Sequence, residues 1–380
     1  MRYVLSGLLS FLFLISLSTS LIAEDIREDM QDAYGAFERL QPYFTDSAAF
    51  EDSKNQAEIS SLLGNLAESF HGMEGIDSRF HDKPGFNATL ELMQEAIKDA
   101  ATRFNEGKKS YAFWRLRGLS NHCVSCHMAH HPELTFYDEP DVSGLSAHEQ
   151  GNFYLSTRQY PEASRAYLKA LQESDSPSVA MNSLRQWLLV KTRTNADPEE
   201  ALSTLNVILS TLELPAYKEQ EVQGWIASLN RWIAEEKRQI NIASAENLLN
   251  IAGIHDFEYG RTDTVSVLRA TAILHSILYN PSLTKAERGR AFYLLGFSYS
   301  RLPMFFISEM PEIYLQLAIK EVPGSDQAKA AFNLYKDLVS LDFTGSGGTH
   351  IPEDVAQRLE NLHKEAYGIV PVDEEIDVGL

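Results

Sequence analysis

In the stretch "IREDMQDAYGAFERLQPYF", Ile26, Met30, Tyr34, Phe37, Leu40 and Phe44 recur at intervals of three and four. That spacing puts them on one face of a helix, whereas the faces of a strand repeat every second residue. The pattern continues in "NQAEISSLLGNLAESFHGM", where Ile59, Leu62, Leu63, Leu66 and Phe70 share a face. Asp46 to Lys54 reads as a polar connection between these two stretches, and "EGIDSRFHDKPG" as the breaker after the second. A third stretch, "NATLELMQEAIKDAATRFNEG", opens at Asn87 with a capping-type residue and ends at Gly107. The fourth, "KKSYAFWRLRGLSNHCVSCHMAHH", is stopped by Pro132. Four amphipathic helices joined by short connections predict an up-down four-helix bundle, and an all-α chain.

The extreme N-terminus obeys a different rule. Arg2 precedes an apolar run from Tyr3 to about Ala23, with small residues at its end and acidic residues beyond it. This is the form of a secretory signal peptide over residues 1–23, cleaved after Ser20 or Ala23, which makes the remainder an exported, periplasmic type of protein. The alternative is an uncleaved anchor that tethers the chain to a membrane, because the run approaches the ~20 apolar residues a bilayer demands. The chain beyond this segment is too long for one hydrophobic core, so two domains are expected. A formal charge of −20 disfavours nucleic acid and anionic lipid as partners, and favours basic ones.

The chain has two cysteines, Cys123 and Cys126, in "NHCVSCHMAH". As a disulfide, the pair would close a loop too short to stabilise much. As a redox pair, C-x-x-C normally accompanies a strand–helix unit, and no strand pattern is visible nearby. A zinc site needs two further ligands, and drawing them from His130 or His131 gives a compressed spacing. The remaining reading is C-x-x-C-H, a covalent attachment site for one haem c. Two thiols add to the haem vinyl groups, and His127 coordinates the iron from the proximal side. On a helix the three residues stand at i, i+3 and i+4, so one face presents them together.

A helical bundle whose last helix ends in C-x-x-C-H resembles the cytochrome c′ and cytochrome c556 family, over about residues 24–135. The family's first helix supplies the residue facing the distal side of the iron, and "IREDMQDAYGAF" looks like that helix. The resemblance implies Met30 as the candidate sixth ligand and Arg27 as a haem-edge or propionate partner. The family's aromatic and basic residues, three and four positions after the haem histidine, are replaced here by His130 and His131. Both are read as surface residues, the alternative being a metal or proton site. His71 and Met73, in "SFHGMEG", are the rival source of a sixth ligand, while His122 points away from the proximal face and His81 sits in a loop.

After a linker at 136–148 the pattern changes. "GNFYLSTRQYPEASRAYLKA" places Gly151 and Tyr154 in one helix and Ala163, Tyr167 and Ala170 in the next, as tetratricopeptide repeats do. "FYLLGFSY" repeats the first half at Phe292, Leu295, Gly296 and Tyr299, and "PEIYLQLAIKEVPGS" comes after it with Ala318. Small residues matter here because two helices cross closely only where side chains are short. Residues 149–368 therefore resemble a degenerate tetratricopeptide array of about five or six helix pairs, the alternative being a non-repetitive helical domain. "DFTGSGGTHIPED" lacks the lysine and preceding strand of a phosphate loop and reads as a flexible turn. The acidic tail, 369–380, reads as disordered.

These features predict an exported mono-haem cytochrome that transfers electrons to a redox partner, with a protein or peptide docked by the repeats. Alternatives are a binder or sensor of small gases such as NO or CO, with an open or displaceable sixth position, and a periplasmic assembly scaffold with an ancillary haem. No nucleophile–base or carboxylate pair marks an enzyme. Bundles of this family often pair through their first helices, so a homodimer is a further implication, to which the added domain is an obstacle.

Overall fold

The computed structural model describes residues 28–73, 83–130, 140–194, 196–235, 239–252, 263–302 and 305–369. The signal segment, Arg27, His81, His131 and the acidic tail lie outside the described residues. The described chain is helix almost throughout, as the three- and four-residue spacing requires. It divides into two compact units, Met1–Val190 and Lys191–Leu380.

In the first unit, helix α1 occupies residues 28–45. Next come α2 (Ser47–Glu51), α3 (Gln56–Gly72), α4 (Phe86–Asn105), α5 (Lys109–Arg117) and α6 (Leu119–His130). The faces expected on α1 and α3 are the buried ones: Tyr34, Phe37, Leu40 and Phe44 join Ile59, Leu62, Leu63, Leu66 and Phe70 in one core. The stretch read as a polar connection instead forms α2. The Asp46 side chain accepts from the Ala48 and Ala49 amides and caps the turn. Phe50 then enters the core edge-on to Phe104, with ring centroids 5.0 Å apart. One aromatic residue among polar neighbours gives no period to read, so packing alone reveals this element. The fourth stretch is broken at Gly118 into α5 and α6. The third starts two residues earlier than expected, with Gly85 in the left-handed region at the cap position rather than Asn87.

Residues 140–146, read as linker, contribute Val142 and Leu145 to the same core. Helix α7 (Ala147–Ser156) begins with a reciprocal capping box between Ser146 and Glu149. It packs against α6 and against α8 (Tyr160–Glu173). Phe153 of α7 stacks on Phe37 of α1, with centroids 5.8 Å apart and ring planes 8° apart. The first compact unit therefore extends well past residue 135. The crossing of α7 and α8 is tight: a Cβ added at Gly151 would lie 2.4 Å from the Tyr167 ring.

Helix α9 (Pro177–Arg193) runs to the boundary between the units. The second unit contains α10 (Pro198–Thr211), α11 (Ala216–Ala234), α12 (Ile242–Ile251), α13 (Thr264–Leu278), α14 (Lys285–Tyr299), α15 (Met310–Glu321), α16 (Asp326–Asp342) and α17 (Glu353–Tyr367). From α12 onward each helix packs on its successor, and α11, α12, α14 and α15 also reach the helix after next. The close approach again falls at a glycine: a Cβ on Gly296 would meet the Leu315 side chain at 2.6 Å and the Pro311 carbonyl oxygen at 3.0 Å. The glycine-rich stretch read as a flexible turn is an antiparallel hairpin, Thr344–Gly345 with Gly348–Thr349. No helix among the described residues is long and apolar enough to cross a membrane.

Candidate functional site

Helix α6 carries Cys123, Cys126 and His127 at i, i+3 and i+4, and all three line one cleft of the first unit. The opposite walls come from α1, with Met30, Tyr34 and Phe37, from α3, with Leu66 and Phe70, and from α4, with Leu90 and Met93. The cleft encloses about 1160 Å³ of empty space, counted out to its mouth. The lining is apolar apart from the cysteines, two histidines, the hydroxyl-bearing Tyr34, Thr89, Ser156 and Thr157, and two cationic residues, Lys83 and Arg158.

The two cysteines are free thiols, half-buried because one side of each faces the cleft and protein walls the rest. Burial pushes the Cys123 thiol up to about 12, with the neighbouring Cys126 adding to it. Burial likewise raises Cys126 to about 11, opposed by the Thr89 hydroxyl and the charge of Lys83. Both are therefore protonated at neutral pH. A redox-active C-x-x-C works the other way, with a thiol held below its usual pKa as a thiolate. Position explains the difference: these thiols sit inside α6, past the first turn where free amides and the helix dipole stabilise an anion.

His127 is fixed by a group from outside residues 24–135. Its Nδ1 lies 2.8 Å from the backbone carbonyl oxygen of Ser156, the last residue of α7. A carbonyl only accepts, so Nδ1 carries the proton and Nε2 keeps its lone pair. Burial, then the charge of Arg158, lowers the imidazole to about 4, and the Ser156 hydrogen bond only partly offsets this. The ring is thus a neutral donor with a fixed tautomer, as metal-ligating histidines are.

The end of α7 makes that carbonyl available. The Arg158 amide bonds the Leu155 carbonyl at 3.2 Å, and the Gln159 amide bonds the Tyr154 carbonyl at 2.8 Å. This is the Schellman closure of a helix C-terminus, which takes up two of its four orphan carbonyls. The Ser156 carbonyl lies just beyond those two and receives His127.

Met30 lines the cleft as expected. So do Met73, the rival at the end of α3, and Met93 of α4, each only 5% exposed. His71, the other rival, is exposed. Met93 escapes a reading of the sequence because it is one apolar residue in a regular helical face, with no feature to set it apart. His130 corrects an expectation: it is a wall of the cleft rather than a surface residue, 5% exposed, with its ring edge-on to Phe86 at 5.6 Å. His122 is not part of the cleft, and its Nδ1 lies 3.2 Å from the Gly118 carbonyl oxygen.

A second cavity of the first unit, about 750 Å³, is lined by Phe37, Gln41, Ser120, His148 and Asn152 among others. The Tyr167 hydroxyl donates to Asn152 Oδ1 at 2.9 Å, which orients the amide so that its Nδ2 faces His148 Nε2 at 3.2 Å. His148 Nδ1 then donates to Ser183 Oγ at 2.8 Å, and the Ser183 hydroxyl donates to the Val179 carbonyl. Each proton points away from the arrangement that would activate Ser183, so the chain is a structural tie between α7, α8 and α9. Burial lowers the His148 pKa below 6.5, with Glu149 opposing the shift. The unfolded chain therefore binds the His148 proton more readily, and this part of the stability is lost as pH falls below 6.5. Denaturant unfolding of the first unit should show its midpoint dropping between about pH 7.5 and 5, by less in His148→Gln. An equal drop in both proteins would show that other groups carry the effect.

No protein-family model, curated protein or solved structure matches the chain.

Proposed function

We propose that the chain is an exported c-type cytochrome with one covalent haem in the cleft beneath α1, α3, α4 and α6, and that it exchanges electrons with a protein partner. In this reading the helices of residues 24–135 form a haem-binding four-helix bundle of the cytochrome c′ kind. The helices of the second unit form a repeat-like array that docks the partner. One observation carries the proposal: two neutral thiols and a neutral, tautomer-fixed imidazole share a single face of α6 and open onto one apolar cleft.

The residues present fit haem. With haem bound, each thiol would add across one vinyl group, its sulfur bonding one carbon and its hydrogen passing to the other, so no oxidant would be consumed. His127 offers Nε2 while its Nδ1–H is held by Ser156, which fixes the ring and makes it a better donor. Met30, Met73 and Met93 are the thioethers at hand for the sixth position. The apolar walls exclude water. Bound there, haem would supply a one-electron Fe(II)/Fe(III) couple.

Visible spectra of the purified protein, oxidised and reduced, with and without carbon monoxide, test the reading. Sharp low-spin bands unmoved by the gas, and lost in Met30→Ala, are the expected result for an electron carrier. A high-spin spectrum that shifts on adding carbon monoxide would instead assign the cleft to a small gas. No haem absorbance after expression with haem-attachment machinery would remove both.

A further inference from the structure

We propose that Arg158 is the positive charge of this haem site: it pairs with a haem carboxylate and holds the iron couple at a higher potential. The inference rests on the haem reading and assigns a role to a residue outside the cytochrome-like segment.

Arg158 occupies the position after the C-cap of α7, with φ at +66°. Glycine is the residue that enters this left-handed region without cost, and it is the usual occupant at the end of a Schellman-closed helix. Any other L residue there is strained by about 1–2 kcal/mol, and a long β-substituted one gains nothing from the turn itself. Such strain persists where the surrounding structure over-determines it, and it clusters at ligand sites. Arg158 lines the same cleft as His127, Cys123 and Cys126.

The charges of the cleft make the need plain. A haem brings two carboxylates, and burying their charge in an apolar cleft costs heavily unless cations meet them. Among the described lining residues there is no Asp or Glu, and the cations are Lys83 and Arg158. A guanidinium takes a carboxylate through two parallel hydrogen bonds, which a lysine cannot do. Ferric haem carries one more positive charge than ferrous haem, so a fixed cation beside the proximal ligand, or the loss of a carboxylate's negative charge by pairing, favours the reduced form.

The experiment uses the full-length protein expressed with haem-attachment machinery, comparing wild type, Arg158→Gly and Arg158→Lys. The readouts are covalent haem content, thermal midpoint and midpoint potential. Arg158→Gly should hold a full complement of haem, because both thioether attachments remain, and should melt lower than wild type only by the lost carboxylate pairing less the backbone strain that glycine relieves. Its potential should fall by an amount equivalent to about a tenfold change in the one-electron equilibrium, ~59 mV. Arg158→Lys should recover part of that fall. A potential in Arg158→Gly indistinguishable from wild type, with haem retained, would overturn the role given to Arg158 and leave the haem reading standing. Wild type without covalent haem would overturn both. Should the glycine variant fold poorly, Arg158→Gln keeps a side chain in place without its charge and is read on the same potential.

Discussion

A chain carrying Cys123→Ser and Cys126→Ser together should fold as wild type does and hold no covalent haem. Intact-mass analysis would show the loss of the whole haem mass, with none left attached after acid–acetone extraction. The change in stability of the haem-free chain should be small, because both thiols face the cleft and sulfur is replaced by oxygen at a half-buried edge. Each single variant should retain one thioether, with shifted absorption bands from the vinyl group left unsaturated. His127→Ala should keep both thioethers and lose the proximal ligand. Its stability should fall further, since the Ser156 carbonyl oxygen loses its donor at a half-buried site. Covalent haem persisting in the double serine variant would refute the assignment of these cysteines.

The second large effect separates the glycines by sign. Gly151→Ala and Gly296→Ala should each destabilise the unit they belong to by about 1–3 kcal/mol, the usual cost of forcing a methyl into a packed core. At Gly151 the methyl meets three atoms of the buried Tyr167 ring, whose hydroxyl is tied to Asn152 and resists turning aside. At Gly296 it meets a backbone oxygen as well as Leu315, so side-chain rotation alone cannot relieve it. Gly64 in α3 and Gly224 in α11 have nothing within 4 Å of an added Cβ and are exposed. There the same substitution should stabilise by about 0.5–1 kcal/mol, because alanine restricts the unfolded chain and favours helix. Urea denaturation midpoints for the four variants decide the matter. A common sign for all four would mean that helix propensity, not the closeness of the crossings, governs these positions.

The glycine contrast shows where reading along the chain succeeds and where it stops. Gly151 and Gly296 are distinguishable in sequence because each sits at a fixed offset from aromatic and small residues that a close crossing needs. The buried faces of α1 and α3 are legible for a similar reason: a helix turns at a constant angle, so the apolar spacing is the face. Phe50 is not legible, since a helix of five residues is too short to show a period. His130 reads wrongly as a surface residue because its burial depends on Phe86, far away in sequence, which reaches it only through the packing of α4 on α6.

By itself, then, the sequence determined that the chain is helical, which faces turn inward, and that Cys123, Cys126 and His127 share one face of α6. These are consequences of backbone geometry acting over four residues. The tertiary structure alone decided what stands opposite that face: Met93 beside Met30 and Met73, a buried His130, and an α7 terminus that lends His127 a carbonyl and brings Arg158 into the cleft. Those groups are joined by packing across tens of residues. Packing is set by the shapes and volumes of whole faces meeting, which no local spacing records.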